Sequence, residues 1–309
     1  IVVESFPSYN DYSYALMSAI SWDTAPDIFV LNNNEKNSVF SNQVMWIDTN
    51  IINPNDFRKK FKWVFADDLI ISSGEWENSV EFLAWLPVWY ESLGIFYNRR
   101  YVKASDLTTI SSLNNIVADL KDKKPDLIPI WIWNGTTVYD ASNIVTQFFL
   151  LEDDVNWLTD VTWSKLKQSL ATYLLFWDTE GYNQFNSRFI ELSRMWQTSL
   201  DLFSKWETFM IVGFPSLINK IAEKGFSKNF LLASPFPHYY SWEWKTLIDY
   251  DYFVINKDSK DVTLANAFMS YLASDIWAED YLENFPYELP ALLSLESDKL
   301  GEKISPDYN

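Results

Sequence analysis

The apolar positions of the chain fall into short continuous runs and into stripes of helical spacing, one following the other for most of its length. Residues 1–6 read as a strand, and a turn over 7–10 leads into a helix over about 11–21. Residues 27–31 form a short apolar run bounded by Ala25-Pro26 and three asparagines, the mark of a buried strand. Residues 53–61 carry a proline and a short amphipathic helix. The stretch around which the rest is arranged is 81–100, EFLAWLPVWYESLGIFYNRR, with two apolar extended runs, 82–86 and 93–97, and Pro87 and Glu91 between them. Proline lacks an amide proton and sits poorly in a central strand, so the run should bend or change sheets at Pro87. Glu91 then lies on a crossover and not on a solvated helix face. A β-hairpin with a surface glutamate fits this stretch, taken alone, equally well.

Beyond Asn98, residues 111–121 have helical spacing and 126–130 return as a strand. The loop 134–140 opens into an apolar helix over 141–151, and 152–204 is mostly helical, with the 3.6-residue period over 165–176 and 185–204. Residues 207–212 are the next strand, ending at Gly213-Phe214-Pro215-Ser216, where Pro215 suits the first turn of a helix. The run LLASPFP carries the chain back, 249–252 enter a return strand, and 262–282 read as one long helix.

Composition narrows the class. A chain of 309 residues is more than one core usually fills, which favours two lobes. A net charge of −18 opposes nucleic acid and anionic membrane surfaces as partners. No apolar run approaches the length of a membrane-spanning helix, and the lone His238 argues against a histidine metal site. The absence of cysteine permits an extracytoplasmic location without requiring one. No glycine-rich phosphate loop, zinc spacing or nucleophile elbow is present, so neither cofactor nor metal is expected.

The residues Leu86-Pro87-Val88-Trp89-Tyr90-Glu91-Ser92-Leu93-Gly94-Ile95-Phe96-Tyr97-Asn98 resemble the first interlobe crossing of bacterial extracellular solute-binding proteins, the maltose-binding-like family 1 of ABC importers. SAISWDTAPDIFVLNN (18–33), FSKWETFMIVGFPSLINKIAEKG (203–225), and LIDYDYFVINKDSKDVTLANAFMSYLAS (247–274) with YELPAL (287–292) resemble further family segments, in the family's order. The resemblance implies an α/β fold of the type II periplasmic-binding-protein, or Venus-flytrap, kind, with an interlobe cleft. Residues 1–90 plus 237–286 would form lobe I and 92–234 plus 287–309 lobe II, with hinges near 87–92 and 234–237. It also implies a protein that is not an enzyme. It would be a monomeric, extracytoplasmic component, periplasmic or lipid-anchored, that delivers a small-molecule ligand to the permease subunits of an ABC transporter. Family members begin with a strand and helix before this point and continue past the last residues. Truncation at both ends is therefore expected, and a signal segment or anchor cysteine would lie outside this chain.

Candidate ligand-binding residues follow from position and chemistry. Asn32, Asn33 and Asn34 stand after a strand, where ligands collect in open α/β folds, although a polar turn explains them as well. Tyr90 and Glu91 stand at the first crossing. Asn134, Thr137 and Tyr139 lie on a loop that faces the ligand in the family, although a capped helix start explains them nearly as well. Phe214 and Ser216 border a helix start whose free amides can hold a hydroxyl or an anion, and Phe214 suits the core equally. Tyr250 offers a face for a sugar ring and a hydroxyl, and Asp251 an acceptor. Acids, amides and tyrosines together favour a carbohydrate. A polyamine or other small solute is the alternative on the same fold. A glycoside hydrolase would need a second carboxyl within about 5 to 10 Å of Glu91.

Glycine and tryptophan are out of proportion. There are 7 glycines and 16 tryptophans, and together they make up roughly the share that glycine alone ordinarily has. Trp22, Trp85, Trp89, Trp131, Trp133 and Trp206 stand where the resembled family has glycine. The expectation is that many of these tryptophans are UGA codons of a lineage that reads UGA as glycine, the alternative being a truly tryptophan-rich sugar binder. Positive φ should then appear at such turns, where an indole costs on the order of 1 kcal/mol or more.

Overall fold

The computed structural model describes residues 2–35, 39–73, 79–125, 127–132, 137–153, 155, 161–175, 197–240, 245–285 and 288–295. Of residues 1–6, expected as a strand, the described residues 2–6 form no ladder with any described strand, and Val2 and Val3 are 91% and 82% exposed. Helix α1 (Tyr9–Ser21) starts where the Ser8 hydroxyl accepts the Asp11 amide. Strands β1 (Ile28–Asn32) and β2 (Val44–Met45) follow, then α2 (Pro54–Lys60), capped by Asn53 with Pro54 in its first turn, and α3 (Trp63–Leu69).

The organising stretch changes partner repeatedly. After β3 (Ile70–Ser73), β4 (Val80–Leu83) pairs with it as a hairpin. Next come β5 (Leu86–Pro87), β6 (Trp89–Ser92) and β7 (Gly94–Asn98), and no two of β4 to β7 share a sheet. Pro87 occupies a strand only two residues long, which its missing amide helps to end.

The chain continues through α4 (Ile110–Lys123), β8 (Ile128–Ile130), α5 (Ala141–Leu150), α6 (Trp163–Leu175) and α7 (Ser199–Ser204). Of the helix expected over 185–204, residues 185–196 lie outside the described residues. Its described end is a separate helix, because Thr198 leaves helical geometry to form a capping box with Asp201. Then follow β9 (Thr208–Gly213), α8 (Leu217–Glu223), β10 (Leu231–Pro235), β11 (Ile248–Asp249) and β12 (Asp251–Asn256). Pro215 precedes α8 instead of entering its first turn. The single helix expected over 262–282 is two, α9 (Val262–Leu272) and α10 (Asp275–Asn284), since Ser274 adopts an extended backbone and caps the second. Strand β13 (Leu289–Pro290) and a 3₁₀ turn over Leu293–Leu295 end the regular structure described.

These elements form two compact units. The first holds the chain up to Tyr90, then Tyr250–Phe285 and, although expected in the second lobe, the described residues 289–295; the second holds Glu91–Asp249 and Glu288. In the first unit β12 is central, antiparallel to β1 on one side and to β2 and β5 on the other. Leu31, Phe57, Phe65, Leu69, Tyr252 and Val254 are fully buried in its core. The second unit is built on the sheet β10-β7-β9-β8, in which only the β8–β9 pair is parallel. Six buried residues of β9 in succession, Thr208 to Gly213, fit a strand covered on both faces. Gly94 lies beside Gly213 across the β7–β9 ladder, and a Cβ on Gly94 would meet the Ser234 carbonyl oxygen at 2.8 Å. Residues 237–249, expected in the first lobe, belong to the second unit: His238 bridges to Thr109, and the Gln147 side chain holds Lys245 and Leu247.

Positive φ occurs at three described residues other than glycine, namely Asp23, Asp140 and Trp206. Trp206 (φ 65°) closes α7 with bonds from its own amide to Phe203 O and from the Glu207 amide to Leu202 O. Gly225 (φ 85°) closes α8 in the same way, with bonds to Ala222 and, from Phe226, to Ile221. Trp22, Trp85, Trp89 and Trp131 do not take positive φ; at the first of these turns Asp23 does so instead. Trp85 and Trp131 are buried indoles, and Trp89 stacks on Tyr281 at 4.4 Å. The backbone signature of glycine is thus found at Trp206 and not at those four. Trp133 lies outside the described residues.

Candidate functional site

In the second unit the site is built around Glu91. Strand β6 places it directly opposite Asp249 of β11, and its Oε1 accepts the Ser216 amide at 2.5 Å. That amide is free to do so because Ser216 stands at the start of α8, before the intrahelical bonds begin. Burial pushes the Glu91 carboxyl up, opposed by the Ser216 amide and hydroxyl and reinforced by Asp249 and Asp140. Asp140 sits at the start of α5 with φ 54°, an uncommon conformation for a residue with a side chain. Its Oδ2 comes within 3.3 Å of where a Cβ on Gly213 would be, so glycine there leaves the carboxylate its place. Burial pushes the Asp140 carboxyl up as well; Lys220 and the Phe214 amide oppose this and Asp249 adds to it. Lys220 Nζ also lies 4.9 Å from the centre of the Tyr139 ring.

The loop before α5 is pinned from below. The Ser199 amide donates to Thr137 O at 2.8 Å, and the Tyr139 amide donates to Ser199 Oγ at 3.2 Å. Thr137 itself is 8% exposed and its hydroxyl receives the Trp131 indole N–H at 3.4 Å, so this candidate serves the core. Phe214 is likewise a core residue, packed among the buried side chains of the sheet. Asn134 lies outside the described residues. Glu91, Ser216 and Tyr139 are thus the expected residues that this unit places beside a set of carboxylates, with the Ser216 amide bonded to Glu91, and Asp140, Asp249 and Lys220 join them.

In the first unit the end of β1 carries the site candidates. Asn32 and Asp251 are partners in the β1–β12 ladder, and Asn32 Nδ2 donates to Asp251 Oδ1 at 3.0 Å. Asn32 Oδ1 accepts both the Asn34 amide at 3.0 Å and Asn34 Nδ2 at 2.8 Å, a side-chain-closed turn. The Asn33 amide donates to Tyr250 O at 2.9 Å. Close by in sequence, the Tyr9 hydroxyl donates to Glu35, and burial pushes that phenol up. Tyr250, expected as a stacking platform, is 4% exposed: its ring meets the edge of Phe65 at 5.0 Å and its hydroxyl donates to Asp68. It is a buried, anchored tyrosine with no free face. Tyr90 is half-buried, with Phe65 at its edge and Lys62 Nζ 5.6 Å over its ring.

Asp140, Asp249, Lys220, Tyr9, Glu35 and Asp68 were not singled out in the sequence. Asp140 and Asp249 each adjoin a chosen residue and carry no motif of their own. Tyr9 and Glu35 meet only because α1 folds back over β1, and no spacing rule announces that contact. Among the described residues no group of three or more His, Cys, Asp or Glu is placed to hold a metal ion, and no helix is long and apolar enough to cross a membrane.

The comparisons with known proteins agree with this architecture. The profile of the bacterial extracellular solute-binding protein family matches residues 1–304, and the chain belongs to that family. No curated protein sequence matches the chain. Among solved structures, a cyclo/maltodextrin-binding protein complexed with maltotetraose superposes with a TM-score of 0.70 at 15% identity, covering 100% of this chain and 76% of that one. The sugar-binding protein MalE of Xanthomonas citri superposes with a TM-score of 0.70 at 15% identity, covering 97% and 74%. The maltodextrin-binding protein MalE1 of L. casei, solved without ligand, gives 0.68 at 12% identity, covering 100% and 77%. The fold is that of the type II periplasmic sugar-binding proteins.

Proposed function

We propose that this chain is the extracytoplasmic substrate-binding component of an ABC transporter, capturing a sugar or oligosaccharide between its two lobes and delivering it to a membrane permease. The observation that carries the reading is the Glu91 cluster: a half-buried carboxylate opposite Asp249, beside Asp140, and bonded to a helix-start amide. Carboxylates that accept, amides that donate and the Tyr139 ring are the groups a sugar hydroxyl lattice requires. Asn32, Asn34 and Asp251 offer the same chemistry in the other unit. Structural neighbours include proteins complexed with maltotetraose and with cycloalternan, and one described as preferring β-D-galactopyranose.

Two other readings have a specific observation behind them. Three carboxyls near one lysine also suit a cation, which keeps the polyamine alternative. The carboxyls flanking Glu91 are the feature a glycoside hydrolase would share. A thermal-melt screen against mono- and oligosaccharides, polyamines and phosphoesters tests all of these. A shift with one sugar class, the sugar being recovered unchanged, is the expected result. A shift with a polyamine alone overturns the substrate, and hydrolysed sugar overturns the binding-protein reading.

A further inference from the structure

The buried face of α5 carries Ile144, Gln147 and Phe148, each 0% exposed, so a carboxamide stands where the helical spacing calls for an apolar side chain. A buried amide costs stability unless both of its ends are hydrogen-bonded. Nε2 of Gln147 donates to Lys245 O at 2.8 Å, and its Oε1 accepts the Leu247 amide at 2.6 Å. A carbonyl and the amide two residues further on are the pair that one residue of a neighbouring parallel strand would engage. The side chain thus acts as a one-residue strand from within a helix.

What it grips leads straight into the Glu91 cluster. Lys245 is also held by its amide, which donates to His238 Nε2 at 2.6 Å, and by its Nζ, which donates to Glu152 O at 3.1 Å just past the end of α5. Leu247 O accepts the Leu93 amide at 3.0 Å and Thr246 Oγ1 donates to Leu93 O at 3.1 Å, which ties the segment to the residue between β6 and β7. Two residues on, Asp249 stands opposite Glu91 in β11, a strand of only two residues whose own ladder fixes its register weakly. Helix α5 begins beside Asp140, the other carboxyl that acts on Glu91. One helix thus sets both neighbours of Glu91, Asp140 at its start and Asp249 through Gln147.

An apolar residue in place of Gln147 would fill the same space without holding Lys245 and Leu247. We infer that Gln147 is a positioning residue of the ligand site, fixing Asp249 opposite Glu91 and so the spacing of the acceptors that a ligand meets. The consequence for a ligand rests on the capture reading above; the placement of Asp249 does not, and it is tested without ligand.

The measurement is the titration of the Glu91 carboxyl, followed by carbon NMR in the full chain labelled at glutamate, its signal identified by its loss in Glu91→Gln. Burial raises Glu91 most and Asp249 adds to this as a like charge, so withdrawing Asp249 lets Glu91 ionise at lower pH. Asp249→Asn and Gln147→Met should each lower the midpoint, and the double variant should lower it no further than Asp249→Asn alone. Tyr173→Phe, which removes a buried hydrogen bond to Ile132 O elsewhere in the same unit, should leave it in place. Gln147→Asn, an amide too short to reach both groups, decides the matter should Gln147→Met not fold. A sugar that the wild-type chain binds should be held about three- to tenfold more weakly by either Gln147 variant. Four results overturn the inference: a Glu91 midpoint unmoved by the Gln147 substitutions, one moved as far by Tyr173→Phe, a double variant that titrates below Asp249→Asn, or undiminished sugar affinity. A chain that ignores every sugar would defeat the capture reading and leave the titration to judge Gln147.

Discussion

At the scale of single residues, Trp206 and Glu91 each hold an unfavourable state that a substitution can release. Trp206 occupies the left-handed position that Gly225 occupies one helix later, while its indole packs on Phe226 and Phe230 and under Arg100. Removing the ring loses that packing, so the backbone cost is read by comparing two variants that both lack it. Trp206→Gly should be more stable than Trp206→Ala by about 1 kcal/mol in urea unfolding. Equal stabilities would remove the backbone argument for glycine at this site. The intact mass of the protein from its own host, set against the recombinant chain, reads the codon question directly. Glu91 is raised chiefly by burial, and Asp249 and Asp140 add to the shift. A carboxyl with a raised pKa binds its proton more tightly folded than unfolded, so its contribution is full below the ordinary carboxylate range and is lost as pH rises through the folded value. Glu91→Gln should therefore flatten the fall in stability above that range and gain a few degrees in Tm at neutral pH. It should also weaken ligand binding by roughly tenfold or more. A variant less stable at neutral pH would mean that the Ser216 bond outweighs the burial cost.

At the scale of elements, the sheet of the second unit rests on a close approach that only glycine allows. Gly94→Ala would drive a Cβ to 2.8 Å from the Ser234 carbonyl, backbone that β10 holds in register. The variant should lose about 1–3 kcal/mol in equilibrium unfolding; an unchanged midpoint would show that β7 and β10 can part without cost. Elements were legible in the sequence where a single local rule decides them. The spacing of 111–121 and the apolar runs of 27–31 and 207–212 mark α4, β1 and β9, and each lies within a residue or two of its expected place. Breaks set by one side chain were not legible: Ser274 and Thr198 can sit within a helical stripe or end it, and composition does not say which. The same limit governs the site. Asn32 is a candidate because it ends a strand and Glu91 because it lies on a crossover, whereas Tyr250 has the chemistry of a sugar platform but is buried against Phe65 and Asp68, which lie far away in sequence.

At the scale of the whole molecule, the question is whether one ligand draws on both units. Each unit has its own acceptor cluster, Asn32 with Asp251 in the first and Glu91 with Asp140 and Asp249 in the second. A ligand at about 100 times its dissociation constant adds near 2.7 kcal/mol to the stability of what it binds. Capture by both units requires that this increment depend on both clusters. Asp251→Asn and Glu91→Gln, each measured by thermal melt with and without the sugar that scores in the screen, should each remove most of the ligand-induced shift. Their separate and joint effects on the unliganded chain are measured as well, so that only non-additivity appearing with the ligand is read as coupling through it. Loss of the shift in one variant with full retention in the other would confine the ligand to a single unit. Capture between the lobes would then fail as a mechanism while the fold stood, since the fold rests on the sheets and their cores and not on these side chains.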